Sequence, residues 1–406
     1  METAEESPHQ SIDVLFLGAG LWSCLMACKL LEAQPHLRIT VLEQSEDPSA
    51  HRRTWSFHQS DLDVNQLPPE WMDEFKPLKW PGYQINFPAR KRRLSIGYRM
   101  ISSDSFYQKA RKLLGNNLIT NAAVSEVSEN RVLLKSGKSY HAPLILDGRG
   151  LSNHSYPRGY QKFLGLQIKV KERHNQQEPI LMDVTVPQHD GFRFVYTLPL
   201  DDKRLLVEDT YYANGPELDM KTLQQGIEAY CHRQGWQDFE IEDQESGVLP
   251  IPLWSKDSWL KETAIEGQSL THVPIGMRAG MFHPTTGYSI VAAMTSAYWL
   301  TQQDFSEPQA VAVALRRRQQ EMWEKGAYYR RLNNMLFLAG DASTRYQVLQ
   351  KFYGHPVDFI GRFYGQRLKW FDKLMMLTGK PPVPLLAGLA AFFSPMREAY
   401  ELPSIK

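Results

Sequence analysis

The chain has 406 residues, 42% hydrophobic and 22% charged. That balance supports a sizeable core and excludes a disordered chain; at ~150 residues per domain there is room for two or three lobes. Lys and Arg total 46 against 45 Asp and Glu, a formal net charge of +1, which argues against nucleic acid as a partner, because dedicated nucleic-acid binders are strongly basic. The cysteines Cys24, Cys28 and Cys231 make no disulfide framework and no CxxC pair for zinc. A reducing compartment fits this usage. The polar, acidic start METAEESPHQ lacks the basic and apolar regions of a secretory signal. No apolar run approaches the ~20 residues of a membrane span; the best, Val383 to Phe393, is too short.

In chain order, Ile12 to Leu17 reads as a buried strand, Gly18 to Gly20 as a tight turn, and Leu21 to Ala33 as a helix stopped by Pro35. Leu37 to Leu42 is a second β-branched strand. Right-handed crossover makes these two strands parallel. Residues 44 to 100, rich in Pro, Trp and charge, suggest excursions and long loops. Ser102 to Leu114 looks helical. Short strands follow at 118–119, 124–127, 131–135 and 144–146. Phe192 to Tyr212 alternates as a hairpin that turns at Asp201-Asp202-Lys203, and from Ala293 onward the composition becomes helical and aromatic. The expected architecture is an α/β nucleotide-binding lobe, interrupted by a β-rich lobe and closed by a helical C-terminal part.

Gly18-Ala19-Gly20-Leu21-Trp22-Ser23 follows the dinucleotide pattern G-x-G-x-x-G/A except at its last position. The first glycine permits the turn and the second lets backbone approach a pyrophosphate at the positive end of the next helix. Ser23 replaces the third glycine, so close helix–sheet packing is strained there but not forbidden. Glu43 ends the second strand, roughly 20 residues on, where an acid accepts hydrogen bonds from adenosine ribose hydroxyls and repels the extra phosphate of NADP. The loop by itself does not separate FAD from NAD. An FAD fold returns to the flavin late in the chain, and the Gly-rich segment Gly276 to Ser289, including Gly280, Thr286 and Gly287, runs into an apolar helix at Ile290 to Leu300. It has no GD pair; Arg278 stands nearby instead. Asp147-Gly148-Arg149-Gly150 is similar to the DG segment of flavin hydroxylases.

Taken together these residues resemble the bacterial lycopene β-cyclases. The matching pieces are Gly18-Ala-Gly-Leu21, Thr54-Trp-Ser-Phe-His58, Asp147-Gly-Arg-Gly150, Gly191-Phe-Arg-Phe-Val-Tyr196, Leu205-Leu-Val-Glu-Asp-Thr210, Phe282-His-Pro-Thr-Thr-Gly-Tyr-Ser289, Met335-Leu-Phe-Leu-Ala-Gly340, Arg362-Phe-Tyr364 and Gly379-Lys-Pro-Pro-Val-Pro384. They occur in family order over nearly the whole chain. Ser49-Ala-His-Arg-Arg53 departs from the family's usual Gly-Gly-Asn before Thr-Trp-Ser. The resemblance implies a glutathione-reductase-like FAD-binding Rossmann lobe at 11–160 and 265–345, after a polar leader at 1–10. It further implies a β-rich substrate lobe at 161–264 and a helical, membrane-proximal segment at 346–406. It implies cyclisation of both ends of lycopene, through γ-carotene to β-carotene. Reduced FAD is required, NAD(P)H is the reductant, and there is no net redox change. A flavin-dependent hydroxylase or a prenyl-chain reductase would share the fold and the first glycine loop.

Cyclisation needs a strong acid in a dry pocket and a negative group against a carbocation. On the strand Leu205 to Tyr212, Leu206, Glu208, Thr210 and Tyr212 share one face, and Val207, Asp209 and Tyr211 share the other. Only one of Glu208 and Asp209 faces a given cavity. By resemblance the essential acid is Glu208, kept protonated by apolar surroundings. His283 is read either as a cofactor donor or as a turn-stabilising residue. Lycopene lies in the bilayer, so the enzyme is expected at the cytoplasmic side of the inner membrane, touching the lipid surface. Lys351 to Lys380 interleaves basic and apolar residues like an interfacial helix, and Arg90 to Arg93 and Arg316 to Arg318 add positive charge.

Overall fold

The computed structural model describes residues 11–50, 52–65, 67–68, 70–150, 158–255 and 271–395. The leader at 1–10 and the tail after Pro395 lie outside the described residues.

Strands Val14–Leu17 and Ile39–Leu42 flank a turn and the helix Leu21–Ala33, as the βαβ pattern requires. They belong to a five-stranded parallel sheet in the spatial order His272–Pro274, Leu144–Asp147, Val14–Leu17, Ile39–Leu42, Leu118–Ile119. Its central strand is buried along its whole length, hence the unbroken apolar run. Alternation assigns the two faces. Val14, Phe16, Val41, Leu144 and Leu146 pack against helices Leu21–Ala33, Ser103–Leu114 and Ile290–Thr301. Leu15, Leu17, Leu42 and Ile145 pack against an antiparallel meander formed by strands Val124–Ser128, Arg131–Leu134 and Ser139–His141. Leu17 pairs with both Leu42 and Asp147. The Gly18 turn, Glu43 and Gly148 therefore leave the sheet at one edge, beyond the carboxyl ends of adjacent strands.

The second large element is a seven-stranded sheet in the order Phe239–Pro252, Arg158–Val170, Arg204–Ala213, Phe192–Pro199, Ile180–Asp183, Tyr83–Phe87, Arg90–Leu94. Neighbours are antiparallel except the fifth and sixth strands, which are parallel. Residues 44–100 thus contribute more than loops. They supply a hairpin to this sheet, and Thr54–His58 and Leu78–Trp80 flank Tyr98–Ser102 in a small antiparallel sheet. One face of the large sheet carries Leu205, Val207 and Tyr211 under the helix Met220–Arg233. The other carries Phe192, Phe194, Tyr196, Leu206 and Tyr212.

Helices Tyr346–Phe352 and Val357–Tyr364 bury Phe352, Tyr353, Phe359, Ile360, Phe363 and Tyr364 in that second core. The expected interfacial helix over 351–380 is therefore three short pieces, the third being Trp370–Leu377. Pro356 and a turn at Gly365 interrupt it, and Arg362 turns inward to bind Asp372 at 2.6 and 2.7 Å. The basic clusters are also spoken for in part. Arg92 donates to the carbonyls of Tyr353 and His355. Arg93 pairs with Glu178. Arg316 donates to the His272 carbonyl, and Arg317 pairs with Glu321.

Candidate active site between the two sheets

A cavity of about 940 Å³ lies where the carboxyl edge of the parallel sheet meets the seven-stranded sheet. Gly18, Ala19, Gly20, Leu21, Glu43 and Gly148 line it from one side. Gly18 has φ +81°, a left-handed backbone that favours glycine. The helix Leu21–Ala33 begins at the cavity without a side-chain cap and without an acid in its first turn. Its first amides are thus available to an anion. Glu43 accepts from the Ala19 amide at 2.7 Å and from the amide and hydroxyl of Ser45 at 2.9 and 2.8 Å. It braces the glycine turn while lining the cavity. The irregular Ser23 is fully buried, and a Cβ on Gly148 would come within 2.3 Å of its Oγ. The bulk added at the third motif position is accommodated by a glycine across the contact.

Asp147 and Gly280 do not line the cavity. Asp147 is fully buried and accepts from the Arg149 amide and guanidinium, from His272 at 3.2 Å and from Arg278 at 3.2 Å. Burial opposes its charge, but these hydrogen bonds and the two guanidinium groups hold its carboxyl below the usual range. It anchors the Gly148 turn to the Gly276 segment, and Arg278 is the tie. Gly280 ends the 3-10 turn Gly276–Ala279 at φ +61°, on the far side from Gly276, which lines the cavity against Trp22. Thr286 and Gly287 do reach the cavity, as do Ser289 and Ile290 at the uncapped start of the helix Ile290–Thr301. His283 holds this turn. Its Nδ1 accepts from the Thr285 and Thr286 amides, and its Nε2 donates to the Phe363 carbonyl at 3.0 Å. Burial pushes its imidazole down to about 4, so it is a neutral turn-stabilising residue.

The seven-stranded sheet supplies the acidic side of the site. On the strand Arg204–Ala213, Glu208 faces the cavity. Asp209 points the other way, fully buried against Arg193 at 2.8 Å beneath the helix Met220–Arg233. Glu208 accepts from the Thr210 hydroxyl at 2.6 Å. Burial, reinforced by the charge of Glu245, pushes its carboxyl up to about 8 against that hydrogen bond. At neutral pH it holds a proton.

Sequence reasoning missed Glu245. It lies on the strand Phe239–Pro252, lines the cavity and accepts from the Thr54 hydroxyl at 2.8 Å. Burial pushes it up to about 7, although Thr54 and the nearby Arg53 favour its charge. The alternation around it is polar, EIEDQESG, and carries no strand signal. The tyrosines also went unnamed. The Tyr98 hydroxyl meets those of Tyr288 at 2.7 Å and Tyr196 at 3.2 Å, and Ser56 meets Tyr196 at 2.9 Å. With Leu181, Phe194, Tyr212 and Tyr364 they make this half of the cavity aromatic and apolar. Such a compartment suits an uncharged hydrocarbon and a transient cation within it. Among the described residues no cluster of His, Cys, Asp and Glu could hold a metal ion.

A sequence profile for the family described as lycopene cyclase protein matches residues 13–390. The chain is 41% identical to a lycopene beta-cyclase of Pseudescherichia vulneris over 380 residues, 92% of this chain and 95% of that one. It is 39% identical to a lycopene beta-cyclase of Pantoea ananas over 392 residues, 96% of this chain and 100% of that one. Among solved structures, a tetrameric 2-methyl-3-hydroxypyridine-5-carboxylic acid oxygenase superposes with a TM-score of 0.56 at 15% identity, covering 90% of this chain and 98% of its own. A geranylgeranyl bacteriochlorophyll reductase-like protein from Thermoplasma acidophilum superposes with a TM-score of 0.54 at 11% identity, covering 94% and 96%. These distant likenesses establish the fold, a parallel Rossmann-type sheet joined to a broad antiparallel sheet with a helical C-terminal part. With the profile spanning nearly the whole chain and close relatives matched end to end, the chain belongs to the lycopene cyclase family.

Proposed function

We propose that this enzyme is a lycopene β-cyclase that closes both acyclic ends of lycopene, by way of γ-carotene, through acid-initiated carbocation chemistry. The observation that carries the reading is Glu208. It is a carboxyl raised to about 8, hydrogen-bonded to Thr210, on the aromatic side of a cavity whose other side is a dinucleotide-type glycine turn.

The residues fit FAD. The uncapped helix start after Gly20 suits a pyrophosphate, and Glu43 stands at the ribose position. Thr286, Gly287 and the second uncapped helix start at Ser289 would hold the ring end. Bound in its reduced form, with NAD(P)H as the source of electrons, FAD supplies a fixed negative charge that lowers the energy of a nearby cation. The chain's own residues do the rest. Glu208 delivers a proton to the terminal double bond, Thr210 orients its carboxyl, and the aromatic wall excludes water. The hydroxyls of Tyr98, Tyr196 and Tyr288 engage one another, and aromatic rings in this wall suit a transient cation.

The substrate arrives from lipid. Trp370, at 74% exposure, and Leu386, at 82%, head a surface of exposed apolar side chains that includes Leu374, Leu377, Leu385, Leu389 and Phe393. The helices Trp370–Leu377 and Leu385–Phe393 border one shallow groove together with Lys373 and Arg331. Among the described residues no helix is long and apolar enough to cross a membrane. Apolar tips ringed by cations suit docking on the cytoplasmic surface of the inner membrane.

The test is expression in a lycopene-accumulating bacterium with chromatography of the pigments. β-Carotene of unchanged mass relative to lycopene is the expected product. A hydroxylated or hydrogenated product would replace this reading with that of a hydroxylase or a reductase. Glu208→Gln is expected to keep its flavin and to stop cyclisation; continued β-carotene formation would remove Glu208 as the acid.

A further inference from the structure

A straight row crosses four strands of the large sheet. Tyr196 pairs with Glu208, Glu208 with Gly165, and Gly165 with Glu245. Residues opposite one another in register share a face, so both carboxyls project into the same cavity. Between them stands a residue with no side chain. A Cβ on Gly165 would lie 3.2 Å from Glu245 Cγ and 3.7 Å from Glu208 Cβ. The gap it leaves is therefore bordered by both acids at once. Each is oriented by a hydroxyl from a separate element, Thr54 for Glu245 and Thr210 for Glu208.

We infer that Glu245 is the second catalytic carboxyl of this site: it takes the proton that leaves the newly closed ring and returns it to Glu208. This rests on Glu208 being the acid. In the forward step the O–H bond of Glu208 breaks as a C–H bond forms at the less substituted carbon of the terminal double bond, which leaves a tertiary cation on the dimethyl-bearing carbon. The neighbouring double bond supplies the electron pair for the ring-closing C–C bond. A C–H bond next to the remaining cation then breaks, its electrons become the ring double bond, and its proton forms an O–H bond on Glu245. Transfer from Glu245 to Glu208 restores the starting state, with no net proton or electron consumed.

The surroundings support this division of labour. Two carboxyls in one low-dielectric cavity oppose each other's ionisation and share protons as a pair. Glu208 is raised the further, to about 8, and Glu245 to about 7. Arg53 borders the cavity and favours the charge of Glu245, whereas the neighbours that act on Glu208 are the carboxyls of Glu245 and Asp209 and the Thr210 hydroxyl. The member nearer to positive charge is the one that is ionised first, as a base must be.

The experiment uses flavin-loaded enzyme and lycopene in liposomes, with Glu245→Gln, Glu245→Asp and Glu208→Gln compared at a series of pH values. Glu245→Gln is expected to retain flavin and to lose β-ring formation by about 100-fold or more. Its residual product should be diverted to rings with a displaced double bond or to water-captured alcohols. Glu245→Asp should restore β-rings in part, with the low-pH limb of the rate profile moved from its parental position. Parental rate and products in Glu245→Gln would overturn the inference and leave Glu208 untouched. A slowed Glu245→Gln that yields β-rings alone, with its low-pH limb in place, would also overturn it. Should Glu245→Gln lose its flavin, the Glu245→Asp limb decides, and an unmoved limb counts against Glu245. Cyclisation by Glu208→Gln at the parental rate would instead sink the acid assignment on which the inference stands.

Discussion

Replacing Glu208 by glutamine should make the folded protein more stable in alkaline solution. The glutamine amide keeps an oxygen for the Thr210 hydroxyl and has the same volume, so only the ionisation is removed. In the folded state burial and Glu245 lift this carboxyl from the ordinary 4.5 to about 8. A raised acid binds its proton more tightly folded than unfolded, so stability is lost as pH climbs from 4.5 through 8. At about 1.4 kcal/mol per decade the ceiling is about 5 kcal/mol. Relaxation and water entering the cavity reduce that to about 1–3 kcal/mol. In a chain of this length such a gain moves the melting temperature by only about 1–4 °C, so urea titration at fixed excess flavin is the better assay. The parent and the variant should unfold alike at pH 5 and separate progressively to pH 9, with the variant the stronger. A difference independent of pH, or a weaker variant at pH 9, would refute the claim that Glu208 is buried against its own charge.

Asp209, one residue away, should behave in the opposite way. Asp209→Asn leaves the Arg193 guanidinium buried without its counter-charge and should cost about 3–5 kcal/mol in urea; a neutral outcome would show that the pair is not structural. Gly148→Ala should cost about 1–3 kcal/mol through its clash with Ser23 Oγ. Adding Ser23→Gly should recover most of that loss, and a double-mutant cycle with coupling near zero would deny the contact. The triple change Trp370→Ser, Leu374→Ser, Leu386→Ser should abolish flotation with anionic liposomes, at about 1 kcal/mol or more for each apolar side chain withdrawn from lipid. Undiminished flotation, with flavin content and urea midpoint unchanged, would place the membrane surface elsewhere.

The nucleotide half of the fold was legible because its signals are local. A four-residue apolar strand, a glycine turn, a helix stopped by proline and a second strand occupy about thirty consecutive positions, and the register of that parallel pair brings Gly18 and Glu43 together; Gly148 joins them from the distant strand Leu144–Asp147. Alternation placed Glu208 and Asp209 on opposite faces before any partner was known, and the family resemblance chose Glu208 between them. Other features depend on contacts distant in sequence. Asp147 sits in a motif that reads as a cofactor contact, yet its surroundings come from Arg149, His272 and Arg278, the last two more than a hundred residues away. The hairpin at 83–94 carries charge on its outer strand because that strand is a sheet edge, and its pairing with Ile180–Asp183 spans nearly a hundred residues. Glu245 is on a strand with few apolar positions, so periodicity had nothing to report. Helical periodicity over 351–380 was real but ran across two breaks, and so suggested one rod in place of three pieces folded back on the core.

The bond from His283 to the Phe363 carbonyl stitches the glycine-rich turn to the helix Val357–Tyr364, from which Tyr364 reaches the cavity. The helical segment from Tyr346 onward is consequently no detachable anchor. A chimera that exchanged only these helices between relatives would inherit a pocket wall cut for another enzyme's turn, and a breeder of new ring patterns would do better to transplant the turn and the wall as one part.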